Sequence, residues 1–178
     1  MMQAGQIVLA HDFMGPGWIH PLTGVDHMLA MLAVGAWSAI LGGRAIWVVP
    51  SAFVTAMGIG AGVGLAGGRV PGVEVMIATS VLLLGGTIAA YLGAGRALGA
   101  AAVALFGFCH GIAHGTAYGT HESRPAYLVG ILATTACLHV IGAIGTLVIL
   151  GTDRGRSVMR LLGMVTAVAG ALLVFRAA

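Results

Sequence analysis

Residues 97–119 read ALGAAAVALFGFCHGIAHGTAYG and contain no Asp, Glu, Lys or Arg. A helix of this length rises about 35 Å, which is enough to cross the ~30 Å hydrocarbon core of a bilayer. Glycines recur at every fourth position, at Gly107, Gly111, Gly115 and Gly119. They form one ridge against which a neighbouring helix can pack closely. The stretch therefore predicts a membrane-crossing helix in a tight bundle.

The rest of the chain has the same apolar character. Of its 178 residues, 59% are hydrophobic and 7% are charged, whereas soluble domains carry about 25% charged residues. This composition excludes a soluble globular domain and a disordered chain. The apolar runs lack the period-2 alternation of barrel strands. We therefore predict an all-α, polytopic membrane bundle of about six transmembrane helices after an extracytoplasmic tail at 1–19, with spans at 20–42, 45–66, 73–94, 97–119, 126–150 and 158–176.

The basic residues and cysteines exclude several function classes. All eight basic residues are arginines, and the chain contains no lysine. A nucleotide-binding phosphate loop needs Gly-Lys-Ser/Thr and Schiff-base chemistry needs a lysine amine, so neither is encoded. The arginines sit singly between apolar runs, as loop charges do, and do not indicate nucleic-acid binding. Cys109 and Cys137 lie in apolar runs without a CxxC motif, which favours neither a disulfide framework nor a structural zinc site.

The loop arginines also predict the orientation of the bundle. Five lie after the first, third and fifth predicted spans, and three lie on the opposite side. Because cytoplasmic loops carry the excess of arginine, we expect both termini on the extracytoplasmic side.

Histidines and acids are the informative groups here, because an ionisable side chain near the bilayer centre costs about 2.5–3.5 kcal/mol on insertion scales. The first span begins HPLTGVDHM at residues 20–28. His20 and His27 share a helix face but lie about 10 Å apart along the axis. They reach one ion only if Gly24 allows a local distortion. Asp26 could orient an imidazole or bind metal directly, and a satisfied Asp–His pair is the structural alternative.

The fourth span carries FCHGIAHG at residues 108–115. His110 and His114 are one turn apart on one face, the spacing at which two imidazoles bind one transition metal. No HExxH glutamate lies between them, so a zincin-type protease does not follow. Glu74 begins the third span, where it also suits the helix dipole. His139 lies near the middle of the fifth span, where a hydrogen-bonded core residue and a metal ligand are equally expected. The candidate metal-site residues are thus His20, Asp26, His27, Glu74, His110, His114 and His139. For the remaining groups in the tail and a loop we expect a solvated surface: His11, Asp12, His121 and Glu122.

The alternating direction of the spans brings the site residues to one side of the membrane. The first span enters from the side at which the fourth ends and the third begins. We therefore expect a vestibule lined by histidines and carboxylates in the outer half of the bilayer. Imidazoles and carboxylates without paired thiolates suit Ni²⁺, Co²⁺, Cu²⁺ or Zn²⁺.

This pattern favours uptake of a divalent metal driven by a gradient rather than by ATP. An intramembrane zinc hydrolase is the main alternative, with Glu74 or Asp26 as general base. A second alternative is a b-type haem protein. Such a protein needs two histidines that face each other from different helices. Helix order, proton coupling and homo-oligomer formation stay open.

The stretch HPLTGVDHMLAMLAVG at 20–35 resembles the first signature of the HupE/UreJ family of nickel permeases, and FCHGIAHG resembles its second. PGVE at 71–74 and the region of His139 also fit the family pattern. The resemblance implies a multi-pass protein of the bacterial inner membrane with an N-terminal signal peptide. It would take up Ni²⁺, or Co²⁺, for hydrogenase or urease maturation, without an organic cofactor. The residues with implied functional roles are His20, Asp26, His27, Glu74, His110 and His114.

One position departs from the family pattern. The family often has a glutamate three residues after the second histidine of AHG, and this chain has Ala117 there. The choice among Ni²⁺, Co²⁺ and Zn²⁺ and the completeness of the ligand set are therefore open.

Overall fold

A computed structural model describes residues 17–119 and 123–178, and these residues form helices and connecting turns without a strand. The all-helical prediction is confirmed for this part of the chain. Its seven helices are α1 (His20–Thr23), α2 (Val25–Leu41), α3 (Ala45–Leu65), α4 (Val73–Ala89), α5 (Arg96–Thr116), α6 (Arg124–Leu150) and α7 (Gly155–Ala177).

Four of these helices, α3, α5, α6 and α7, are long and apolar enough to cross a membrane. The helices α2 and α4 are apolar as well but contain 17 residues each, which corresponds to about 25 Å. The chain is thus a multi-pass membrane protein with four candidate spans by length and composition. The count of six spans stays a prediction.

The first predicted span, 20–42, is not one continuous helix. Gly24 separates α1 from α2 and adopts an extended conformation, with φ −90° and ψ 116°. The predicted spans 73–94 and 97–119 also extend too far, because α4 ends at Ala89 and α5 at Thr116. After α4, Tyr91 has a left-handed φ of 54°, and the indole Nε1–H of Trp37 donates to the carbonyl of Leu92 at 3.1 Å. This turn stops the helix before the predicted boundary.

Glycines bring the helices together in pairs. A Cβ added at Gly107, Gly111 or Gly115 of α5 would collide with the backbone of α3, and one added at Gly60 or Gly64 of α3 would collide with the backbone of α5. The predicted glycine ridge therefore does face a neighbouring helix. Such contacts let backbones approach where lipid offers no hydrophobic driving force for association.

Two other helix pairs use the same close approach. Gly35 of α2 lies against the backbone of His139 in α6, and Gly142 of α6 lies against the backbone of Leu32. In the same way Gly85 of α4 faces the backbone of α7. The bundle is thus assembled from the pairs α3/α5, α2/α6 and α4/α7. Within the described ranges, the first two pairs carry all the histidines predicted as site residues except His20, which lies in α1.

We expect Gly111→Ala to destabilise the protein by about 1–3 kcal/mol, because the added methyl group forces the α3 and α5 backbones apart at Met57. The matched control is Gly62→Ala on α3, where an added Cβ meets no atom within 4 Å. Thermal unfolding in detergent micelles should show a lower midpoint for the first variant alone. Equal midpoints for both variants would contradict the α3/α5 contact.

Candidate metal-binding site

Four buried histidine rings meet where α1, α2 and α5 converge. The ring centroid of His114 lies 4.9 Å from that of His20 and 4.5 Å from that of His27, and the His27 ring lies 5.1 Å from that of His110. None of the four residues is more than 6% exposed. We call His20, His27, His110 and His114 the histidine cluster. Its formation agrees with the predicted convergence of the first and fourth spans.

The break at Gly24 explains how His20 and His27 come to share a neighbour. On one straight helix their side chains would be separated by about 10 Å of rise. Because Gly24 is extended, α1 leaves the axis of α2, and both rings contact His114. The helix is therefore distorted at Gly24, as the sequence analysis predicted it must be if His20 and His27 are to reach one ion.

Asp26 fixes the orientation of the His27 ring. Its Oδ1 lies 2.9 Å from Nδ1 of His27 and accepts the backbone N–H of the same residue at 2.9 Å. With Nδ1–H donating to the carboxylate, Nε2 is the nitrogen through which this ring would bind a metal. Histidine ligands in metal sites commonly have such a carboxylate partner, which also raises their basicity. Asp26 therefore has the geometry of an orienting residue.

The His110 ring is held by its own helix. Its Nδ1 lies 2.8 Å from the carbonyl oxygen of Phe106, to which Nδ1–H can donate. Its Nε2 is buried and has no hydrogen-bond partner among the described residues. A buried polar atom without a partner is uncommon and costs free energy. The arrangement leaves this nitrogen available as a ligand.

Two aromatic residues that the sequence analysis missed line the histidine cluster. The hydroxyl of Tyr127 donates to the carbonyl of His114 at 2.8 Å, and its ring centroid is 6.1 Å from that of His20. Phe53, which is fully buried, places its ring centroid 5.3 Å from that of His110. The sequence carries one indication of Tyr127, because it is a polar aromatic residue near the N-terminal end of a span. It carries none of Phe53, which lies in an apolar run.

Two predicted site residues lie outside the histidine cluster. Glu74 lines a crevice of about 340 Å³ together with Arg69 and Ala117, and the residues of α5 that line it are not the histidines. His139 contacts Phe53, with ring centroids 5.0 Å apart. The four residues predicted to be solvated lie outside the described ranges: His11, Asp12, His121 and Glu122.

The histidine cluster is a set of potential ligands rather than a closed coordination sphere. Within 17–119 and 123–178, no three or more His, Cys, Asp or Glu side chains are arranged to hold a metal ion. The rings contact each other edge to face, with interplanar angles of 64° to 78°. Rotation of the rings would be needed to aim their nitrogens at one point.

Apolar spans around buried, carboxylate-oriented histidines define the class as a multi-pass membrane protein with a candidate transition-metal site. The model of the HupE / UreJ protein family matches residues 1–173, and the chain belongs to this family. It is 40% identical over 157 residues to Protein HupE of Rhizobium leguminosarum bv. viciae, covering 88% of this chain and 82% of that protein. No solved structure matches the chain. The family consists of accessory, permease-type proteins associated with nickel or cobalt uptake for hydrogenase and urease.

We expect Asp26→Asn to weaken Ni²⁺ binding by the purified protein about 10- to 100-fold, because the His27 ring loses its anionic partner. Titration calorimetry in detergent micelles measures the change. Asp153→Asn, in the turn after α6, is the matched control and should bind as the unaltered protein does. Equal affinities for both variants would show that Asp26 does not support the site.

We expect Gly24→Ala to weaken Ni²⁺ binding without unfolding the bundle. The added Cβ would lie 2.9 Å from Asp26 Oδ1 and 2.9 Å from His27 Nδ1, so this pair has to move. Gly86→Ala in α4, where an added Cβ meets no atom within 4 Å, is the control. Unchanged binding in Gly24→Ala would mean that the break in the first span does not shape the site.

Proposed function

We propose that this protein imports Ni²⁺, or Co²⁺, across the bacterial inner membrane as a secondary transporter, with the histidine cluster as its outer binding site. The observation that carries the proposal is the contact of four buried histidine rings from α1, α2 and α5. Imidazole nitrogen is a preferred ligand of these ions. Membership of a family associated with nickel and cobalt uptake supports the same function.

The chemistry of the histidine cluster suits passage of an ion rather than permanent retention. A structural metal site has a closed set of ligands in fixed geometry, whereas these rings have to rotate to bind. Neutral imidazoles replace the hydration shell of a divalent cation without trapping it by a large negative charge. Asp26 is the partly buried carboxylate that contacts the cluster through His27. It offsets one of the two charges of the ion.

The membrane potential provides the driving force in this proposal. Moving a divalent cation down 100 mV yields about 4.6 kcal/mol, which corresponds to roughly a 10³-fold accumulation. The full sequence has no lysine for a phosphate-binding loop. A transporter without nucleotide chemistry needs such a gradient.

The arginine distribution supports a direction of transport. The histidine cluster lies at the N-terminal ends of α1 and α2 and at the C-terminal end of α5. The ends of the same helices on the opposite side adjoin Arg44 and Arg96. Because arginine-rich loops are cytoplasmic, we place the cluster in the outer half of the bilayer and the N-terminus outside.

We expect purified protein in liposomes to let Ni²⁺ enter saturably under an inside-negative potential. A trapped metal-sensitive dye records the entry. The double variant His110→Ala/His114→Ala should lose it by about 10- to 100-fold, because it removes two of the four rings.

The control is Asp153→Asn, which lies away from the histidine cluster and should transport normally. Metal that binds stoichiometrically without entering would contradict the transport proposal. Entry that is equal in the double variant would refute the role of α5.

A further inference from the structure

We propose that His139 and the groove that it lines form a second, inner metal-binding station, which receives the ion from the histidine cluster past Phe53. This inference rests on the proposed transport function and extends it to the other half of the membrane. His139 lies on α6, about 22 Å from the outer end of that helix and about 17 Å from its inner end.

The His139 ring is buried with unused nitrogens. The residue is 2% exposed, and neither Nδ1 nor Nε2 has a hydrogen-bond partner among the described residues. A core histidine in a purely structural role would normally be satisfied by a hydrogen bond. In an apolar bundle this residue therefore needs a ligand, as an intramembrane ionisable group generally does.

A groove of about 500 Å³ between α3 and α6 includes His139 in its lining. It extends to Ile46 and Trp47 at the start of α3 and to Leu147 near the end of α6. These helix ends adjoin the arginine-bearing loops after α2 and α6. The groove thus leads from mid-membrane toward the face opposite the histidine cluster.

Oxygen atoms accompany His139 in this mostly apolar groove. Ser51 and Thr55 of α3 line it and are exposed. Pro50 also lines it and lies inside the continuous helix α3. A proline has no N–H, so the carbonyl oxygen of Ile46, another residue of the groove, lacks its helical hydrogen bond. Backbone carbonyls without a helical hydrogen bond coordinate cations in the unwound helices of some transporters.

Phe53 contacts a ring of each metal-binding station. Its ring centroid lies 5.3 Å from that of His110 and 5.0 Å from that of His139. An ion that moves from the histidine cluster to His139 would therefore pass close to this aromatic ring.

Two thioether sulfurs and a hydroxyl lie at the depth between the histidine cluster and His139. The hydroxyl of Thr135, one turn before His139, donates to the sulfurs of Met31 at 3.3 Å and Met57 at 3.5 Å. Met31 in turn lies one turn beyond His27. An ion that moves between the two stations would therefore meet thioether sulfurs and a hydroxyl oxygen, which are weak ligands.

The test compares Ni²⁺ entry with Ni²⁺ binding in the full-length protein. His139→Phe keeps an aromatic ring of similar shape but removes both nitrogens. We expect entry into liposomes to fall about 10- to 100-fold, while the affinity of the histidine cluster, measured by calorimetry, stays unchanged. In contrast, His110→Ala/His114→Ala should lose both entry and binding. Cys137→Ala, at an exposed position two residues before His139, is the matched control and should change neither.

A second variant covers the case in which His139→Phe does not fold. Ser51→Ala/Thr55→Val alters only exposed positions and should lower entry while binding at the histidine cluster is retained. Normal Ni²⁺ entry in a folded His139→Phe protein would overturn the inner station. If that protein does not fold, normal entry in the Ser51→Ala/Thr55→Val variant would overturn it. Either result would leave the transport proposal intact. The inner station would also be overturned if His139→Phe bound Ni²⁺ as weakly as His110→Ala/His114→Ala does. His139 and the histidine cluster would then belong to one site instead of two. Absence of entry in the unaltered protein would refute transport itself.

Discussion

The close backbone contact between α3 and α5 is the constraint on which the site depends. Gly107, Gly111 and Gly115 turn one face of α5 toward α3. His110 and His114 alternate with these glycines, so the contact determines the direction in which their rings leave the helix. Any larger residue on the glycine ridge would separate the helices. It would also move Phe53, whose backbone touches Gly107, away from His110.

Two local irregularities of the backbone also shape the surroundings of the histidines. Gly24 interrupts the first span, which lets two histidines that are seven residues apart contact the same ring of His114. Pro50 interrupts the hydrogen bonding of α3 beside the groove that His139 lines. Irregular backbone in a membrane protein is tolerated where protein or a cavity covers it. Both irregularities lie beside potential metal ligands. The places where the helix backbone departs from regular hydrogen bonding are therefore the places where a metal could bind.

Buried histidines suit a permease because they are costly as cations and useful as neutral ligands. An imidazole in an apolar interior favours its uncharged form, which is the form that binds metal. Asp26 keeps the His27 ring in one orientation, and the Phe106 carbonyl does the same for His110. The rings nevertheless contact one another edge to face without a closed coordination sphere. Such a site can be oriented in advance and still release its ion.

The sequence by itself determined the helical membrane class and the residues of the histidine cluster, because composition, one-turn spacing and span direction can be read along the chain. The family followed from the resemblance of two sequence stretches to its signatures. The sequence also indicated Gly24 as the point where a distortion was needed. Only the tertiary structure placed Glu74 in a separate crevice with Ala117, brought Tyr127 to His114 and put Phe53 in contact with both His110 and His139. These relations join different helices. They depend on how glycine contacts rotate each helix about its axis, which no single span encodes.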